Sequence, residues 1–178
     1  TKIDAEGNIE IGWNPNGNSL SDPSSDSRNL KVKTITEESG LLAVWSQDGN
    51  FSDIYAQMIS WEGETIWGEG GITISDADND QVNFSFELNQ SKTHALVTWE
   101  DYRNGSDFEI FGEVIDLEVG LSNNQDVQFT NDTTNQYNPT MSLVQDNEFL
   151  IVWEDERGYY NSDPLLINGV DLYGSGYI

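Results

Sequence analysis

The sequence predicts an all-β protein assembled from a repeated unit of four short antiparallel strands. Three apolar runs of five residues each end in a tryptophan, at Trp45, Trp99 and Trp153, so that the unit recurs every 54 residues. Segments rich in Asp, Asn and Gly separate the apolar runs, as turns do in all-β chains. No stretch combines a sustained 3.6-residue apolar period with helix caps, so helices are not expected.

Each unit contributes four predicted strands, which we name A to D in chain order. Strand A begins at an asparagine, and strand B is the apolar run that ends in tryptophan. An Asp/Gly-rich turn leads to strand C, and a second Gly-containing turn leads to strand D. The asparagines are Asn29, Asn83 and Asn138; the C strands are predicted at Asp53–Ile59, Glu109–Ile115 and Asp171–Ile178, with the tail of another at Thr1–Asp4; the D strands are predicted at Gly63–Trp67 and Gly7–Trp13.

The B strands indicate how these sheets are arranged. Their apolar runs are not interrupted by polar residues, which is typical of strands buried on both faces. Four-stranded blades of a β-propeller pack between two neighbours and bury their inner strands in this way. We therefore predict propeller-like blades: residues 1–28 end one blade, 29–82 and 83–137 are blades, and 138–178 are a partial blade. Because about three blades are fewer than propellers usually carry, we expect a segment of a larger propeller, with a ring of several copies as the alternative.

Composition excludes several classes of function. The chain has 178 residues with 32 acidic and 7 basic side chains, a net charge of −25 and a pI near 4.1. Such acidity repels nucleic acids and anionic lipid surfaces. The absence of Cys excludes disulfides and zinc–thiolate sites, and the presence of a single His argues against a His-based triad. No apolar run is long enough to form a membrane-spanning helix. We interpret the N-terminus as that of a processed piece.

Parts of the repeat resemble a known family. The segment Val97–Asp107, together with Asp53–Gln57 and Trp67–Gly71, resembles the W-x-D-x-R-x-G…D-I-Y-A-Q repeats of large secreted bacterial β-propeller proteins, many of them Bacteroidota surface proteins and type IX secretion substrates. The resemblance implies a secreted or cell-surface location. The first repeat departs from the pattern because it lacks the Arg, and the third carries an insertion at Asp163–Val170.

The repeated residues are interpreted first as structural. We expect the three tryptophans to pack between blades. Asp101 with Arg103, and Asp155 with Arg157, are expected to form a turn with a local ion pair after strand B.

One loop is a candidate calcium site. Asp76, Asp78 and Asp80 alternate along the chain between strands D and A, and alternating carboxylates can direct several oxygens at one Ca²⁺ ion. Because the glycine of an EF-hand loop is missing and strands flank the segment, this is not an EF-hand. The alternative is a plain acidic loop.

Three functions remain open at this point. The first is a non-catalytic scaffold or binding surface at the cell surface for a protein or glycan, or for further propeller blades of the parent chain. The second is part of a carbohydrate-active propeller enzyme, which needs paired carboxylates or a Tyr/Arg cluster at the central axis of the propeller. The pairs Glu100/Asp101 and Glu154/Asp155 do not qualify, since neighbours along a strand point to opposite faces. The third is a self-assembling subunit of a surface layer or filament. We expect the first, and no catalytic activity.

Overall fold

The computed structural model describes residues 1–121 and 126–158, and the backbone of 170–176. Apart from one turn of 3₁₀ helix at Glu156–Gly158, the regular elements of the described chain are strands. The prediction of an all-β chain is confirmed. In the described part of the chain, no helix has the length and apolar character needed to cross a membrane. Residues 163–169 of the insertion predicted in the third repeat lie outside the described residues.

The strands form three antiparallel sheets that follow one another along the chain. Apart from β8 and β9, consecutive strands of each sheet are neighbours, so the chain runs back and forth as a meander. The first sheet contains β1 (Asp26–Thr36), β2 (Gly40–Asp48), β3 (Ser52–Ile59) and β4 (Ile72–Ser75); the second contains β5 (Gln81–Leu88), β6 (His94–Asp101), β7 (Glu109–Asp116), β8 (Gly120–Leu121) and β9 (Val127–Gln128), with β8 and β9 both paired to β7; the third contains β10 (Gln136–Gln145), β11 (Glu148–Asp155) and β12 (Val170–Gly176).

The same β-bulge interrupts the first strand pair of every sheet. The register shifts between Arg28 and Lys31, between Val82 and Ser85, and between Tyr137 and Thr140. Each shift contains the asparagine of the repeat, whose φ is 56° at Asn29, 49° at Asn83 and 52° at Asn138. Asparagine tolerates this left-handed conformation better than other residues with a side chain, because its short amide can bond locally. The repeated asparagines therefore mark a backbone requirement.

The core lies between the sheets. One cluster joins the first and second sheets, with Leu42 and Val44 of β2 facing Val97 and Trp99 of β6. A second cluster joins the second and third sheets and contains Leu96, Phe149, Ile151 and Trp153. Adjacent residues of β6 thus belong to different clusters, because side chains alternate across a strand. The uninterrupted apolar run of β6 is buried on both faces.

Strand β11 of the third sheet shows the opposite pattern. Phe149, Ile151 and Trp153 are buried against the second sheet, whereas Leu150 and Glu154 are exposed. Its burial alternates as expected for a strand with one covered face. Its apolar run, Phe149–Trp153, is as continuous as that of β6, so sequence alone does not separate the two environments.

The D strand predicted at Gly63–Trp67 is wrong. These residues form a turn with one isolated bridge between Ile59 and Thr65, and the fourth strand of the sheet is β4 instead. The buried side chain of Gln57 is the reason, because its Oε1 accepts the amide of Trp67 and its Nε2 donates to the carbonyl of Gly68. These bonds replace ladder bonds and carry the chain on to β4.

The strands predicted at Thr1–Asp4 and Gly7–Trp13 are also wrong. Residues 1–13 contain one isolated bridge, between Ile3 and Ile9, followed by a turn, and no strand. The segment is held against the first sheet by the indole of Trp13, which donates to the carbonyl of Trp61, and by Asn18, which donates to the carbonyl of Gly63.

The two faces of the repeat give a first prediction. Leu96→Ala removes a side chain buried between sheets and is expected to lower the free energy of unfolding by about 2–4 kcal/mol. Leu150→Ala changes the equivalent position of the third sheet, where the side chain is partly in solvent, and is expected to cost below about 1 kcal/mol. Urea denaturation of both variants measures the difference. Equal losses would contradict the packing described here.

Candidate functional site

The W-x-D-x-R segment after β6 forms a buried hydrogen-bond network. Asp101 Oδ2 accepts a bond from the indole Nε1 of Trp99 at 2.8 Å. Its Oδ1 accepts from both the backbone N and the Nε of Arg103, each at 2.8 Å. The Asp101 side chain is inaccessible to solvent. The predicted turn and ion pair are present, and the carboxylate also anchors the tryptophan.

Arg103 connects this network to the first sheet. One terminal nitrogen lies 2.5 Å from Oδ2 of Asp126 and 3.3 Å from Oγ of Ser75 in β4. The guanidinium carbon lies 4.0 Å from the centre of the Phe111 ring, within cation–π distance. Burial lowers the pKa of Arg103, but the bonds to Asp101 and Asp126 outweigh it and leave the pKa above its ordinary value. Arg103 therefore stays charged at the junction between two sheets.

The third repeat builds the same turn and the first does not. Asp155 accepts bonds from the backbone N of Arg157 at 2.9 Å and from its Nε at 2.8 Å. Burial raises the pKa of Asp155, but the bonds from Arg157 outweigh this and hold the pKa below its usual value. In the first repeat Gln47 and Gly49 replace the Asp and Arg. There the indole Nε1 of Trp45 and Oε1 of Gln47 are buried and have no hydrogen-bond partner among the residues that the structure describes.

Equivalent clefts lie beside the two arginines. A cleft of about 450 Å³ and one of about 280 Å³ each contain the arginine, the end of the preceding sheet and the loop that leads to the next sheet. The larger is lined by Thr73, Ile74, Ser75, Asp76, Ala77, Arg103 and Asp126, and the smaller by Phe129, Thr130, Asn131, Asp132, Gln136, Trp153 and Arg157. Both clefts are polar and open, and they repeat with the sheets.

Glu100 joins the second and third sheets. Its carboxylate accepts bonds from the side-chain amide of Asn83, at 2.9 and 3.0 Å, and from the backbone N of Asn138 at 2.6 Å. Burial raises the pKa of Glu100, the bonds from Asn138 and Asn83 partly oppose this, and the charge of Glu154 raises it further. In the first sheet, Asn29 bonds the hydroxyl of Ser46 at the equivalent position. In the first two sheets, the asparagine of the bulge thus bonds the residue that follows the tryptophan.

Buried glutamines were missed by sequence reasoning. Gln81 Nε2 donates to the carbonyls of Ala77 and Asn79, and Gln136 Nε2 donates to the carbonyl of Thr134, so each holds the loop before its strand. The signal was present in the sequence, because each glutamine stands two residues before a repeat asparagine.

The candidate calcium residues do not converge. Asp76, Asp78 and Asp80 are all exposed, and Asp80 Oδ1 accepts the backbone N of Ser52. Among the residues that the structure describes, no three acidic or histidine side chains are arranged to hold a metal ion. Asp53 is the neighbour that sequence reasoning missed: burial, followed by the charges of Asp76 and Asp80, raises its pKa to about 6.

Comparisons with protein-family models, with curated proteins and with solved structures gave no match. The resemblance to secreted propeller repeats therefore stays a resemblance.

The ion-pair network gives a second prediction. Arg103→Gln leaves Asp101 and Asp126 without their cation and is expected to lower the free energy of unfolding by about 2–4 kcal/mol, since Asp101 is fully buried. Arg28→Gln is the control, because Arg28 is largely exposed beside Asp26 and Asp48, where solvent screens the ion pairs, and its loss is expected to change stability much less. Thermal and urea denaturation compare them. Equal effects would show that the network is not a stabilising junction.

The raised pKa of Asp53 gives a third prediction. A carboxyl with a folded pKa of about 6 and an unfolded value of 3.8 favours folding below the unfolded pKa, and this stabilisation is lost as pH rises through 6. Asp53→Asn is therefore expected to raise the free energy of unfolding at neutral pH by about 1 kcal/mol, after allowance for solvent screening, and to change it little near pH 3.5.

Melting temperatures across this pH range measure the effect. Glu69→Gln removes the same charge at an exposed position and controls for net charge. A stabilisation by Asp53→Asn that is independent of pH, or matched by Glu69→Gln, would contradict the assignment.

Proposed function

We propose that the chain is an exported β-propeller module and that its three sheets are consecutive blades. The carrying observation is the repeated junction: two successive pairs of sheets pack face to face through equivalent strands, and β6 is buried on both sides. Stacked four-stranded meanders with inner strands covered on both faces are the packing of propeller blades. The resemblance to secreted repeats supports a location outside the cell.

We propose that the module is a non-catalytic scaffold that binds a protein or glycan. The arrangement of its repeated polar residues supports this, because they join parts of the fold. Glu100 holds the bulges of two sheets, and Asp101 holds Trp99 and Arg103. Carboxylates engaged in this way are poorly suited to act as the paired acid and base of a glycosidase.

The cleft beside Arg103 is the surface that we propose for the ligand. Thr73 and Asp76 line it from the first sheet, and Arg103 and Asp126 line it from the second. Hydroxyls of a sugar, or polar groups of a peptide, would find both donors and acceptors there. The second cleft would allow a ligand with repeated units to bind at two equivalent places.

Calcium remains part of the proposal. Burial is the main cause of the raised pKa of Asp53, and the charges of Asp76 and Asp80 add to it; a cation near these two residues would relieve that added repulsion. Binding would require these side chains to move closer together than they are here.

Binding and hydrolysis screens test the proposed function. The protein is applied to arrays of glycans and surface proteins, and reducing ends released from the same glycans are assayed, with Ca²⁺ and with a chelator. We expect a ligand that is retained without being cleaved, and weaker retention by Asp76→Ala. The matched variant Asp132→Ala changes the smaller cleft and is expected to weaken binding less.

Three results would each overturn part of this proposal. Release of reducing ends would favour the carbohydrate-active enzyme. Retention unaffected by Asp76→Ala would show that the cleft beside Arg103 is not the binding surface. A melting temperature that is the same with Ca²⁺ and with chelator would show that the chain does not bind calcium.

A further inference from the structure

The face of the third sheet that points away from the second sheet exposes apolar side chains at positions that are buried in the first two sheets. We call it the free face of the third sheet. Leu150 is 38% exposed, whereas the equivalent Leu42 and Leu96 are 0% and 4% exposed. Val144 is 62% exposed, whereas the equivalent Ile35 is 3% exposed. Leu42, Leu96 and Ile35 are covered because another sheet follows theirs. The third sheet keeps the apolar residues of this face, and no described element covers them.

The first strand of the first sheet, β1, has exposed apolar residues of the complementary kind. Leu30 and Val32 of β1 are 57% and 54% exposed. Their equivalents in β5, Phe84 and Phe86, are 2% and 4% exposed because the first sheet precedes theirs and covers them.

Both internal junctions follow one rule. The first strand of the later sheet packs across the first three strands of the earlier one: β5 contacts β1, β2 and β3, and β10 contacts β5, β6 and β7. The free face of β1 is therefore the later half of such a junction, and the free face of β10 and β11 is the earlier half. One molecule displays both halves, with the second sheet packed between the sheets that carry them.

We propose that two copies of this chain associate head to tail, with β1 of one copy packed on the free face of the third sheet of the next. The contact continues the geometry of the two junctions inside the chain. The side chains that would meet include the uncharged Leu30, Val32 and Thr34 on one copy and Ser142, Val144 and Leu150 on the other. The exposed Glu154 would take the place that Glu100 has in the internal junction, where the carboxylate accepts the backbone N of an asparagine bulge. A heterologous contact of this kind closes into a ring or extends into a chain of molecules.

Net charge makes the association dependent on salt. Each copy carries a charge of −25, so two copies repel each other at low ionic strength. Screening shortens the range of this repulsion while the apolar contact remains, so association is expected to increase between low salt and about 0.5 M NaCl. An association driven by surface ion pairs would weaken over the same range.

Size-exclusion chromatography with light scattering, from low micromolar to near-millimolar protein, tests this proposal. We expect a mass that rises with concentration and with salt. Leu150→Glu and Val32→Glu each place a charge in one half of the contact and are expected to give monomers. Val119→Glu is the matched control, because Val119 is 70% exposed in the turn before β8, away from both faces, and is expected to associate like the unchanged chain.

Mixing the two defective variants decides the geometry. Leu150→Glu keeps an intact β1 face, and Val32→Glu keeps an intact third sheet, so the mixture is expected to form a dimer that does not grow further. Circular dichroism of each variant confirms folding, and formation of the mixed dimer shows that both retain a competent face.

Three outcomes would overturn the proposal: an unchanged chain that is monomeric at all concentrations and salts, association that survives both substitutions, or a mixture that remains monomeric. Association requires no ligand. A failed ligand screen therefore leaves it standing, and a monomeric chain leaves the proposed binding role standing.

Discussion

The fold depends on the burial of one strand from both sides. Trp99 and Val97 of β6 require the first sheet as cover, and Leu96 requires the third. A buried apolar side chain contributes about 1.5–3 kcal/mol relative to an exposed one, so the second sheet alone would leave one apolar face or the other in water. A single four-stranded sheet of this sequence is therefore expected to be unstable by itself, and the sheets stabilise one another.

Polar groups fix the orientation of the packed sheets. Apolar packing is not directional, so it does not determine how far one sheet slides along the next. Glu100 fixes the position of the third sheet along the second, because its buried carboxylate must receive bonds from Asn83 of its own sheet and from the backbone of Asn138 in the next. Arg103 does the same at the other junction through Asp126 and Ser75. A displaced sheet would leave buried charge without partners, which costs more than the bonds contribute.

The sequence predicted the features that repeat and failed for those that do not. Trp45, Trp99 and Trp153 located the central strands because a buried position imposes the same residue type each time. The D strands were misplaced because Gly63–Trp67 has strand composition, whereas its conformation is imposed by Gln57, a residue outside the segment. The exposed face of β11 was not predictable either, since its apolar run matches that of β6. At the acidic loop, the alternation of Asp76, Asp78 and Asp80 could not reveal that Asp53 lies beside it.

The first repeat shows that the residues of the W-x-D-x-R turn depend on one another. Trp45 keeps the packing position. In the part of the chain that the structure describes, however, neither its indole N–H nor the side-chain oxygen Oε1 of Gln47 has a hydrogen-bond partner, and both are buried. An aspartate at position 47 would accept the indole N–H, as Asp101 does for Trp99. It would also bury a carboxylate that no arginine neutralises, because Gly49 stands where Arg103 stands in the second repeat. Burying an unpaired charge costs more than a missed hydrogen bond. The neutral glutamine is therefore the better residue at this position as long as the arginine is absent, and the aspartate and arginine are favourable only together.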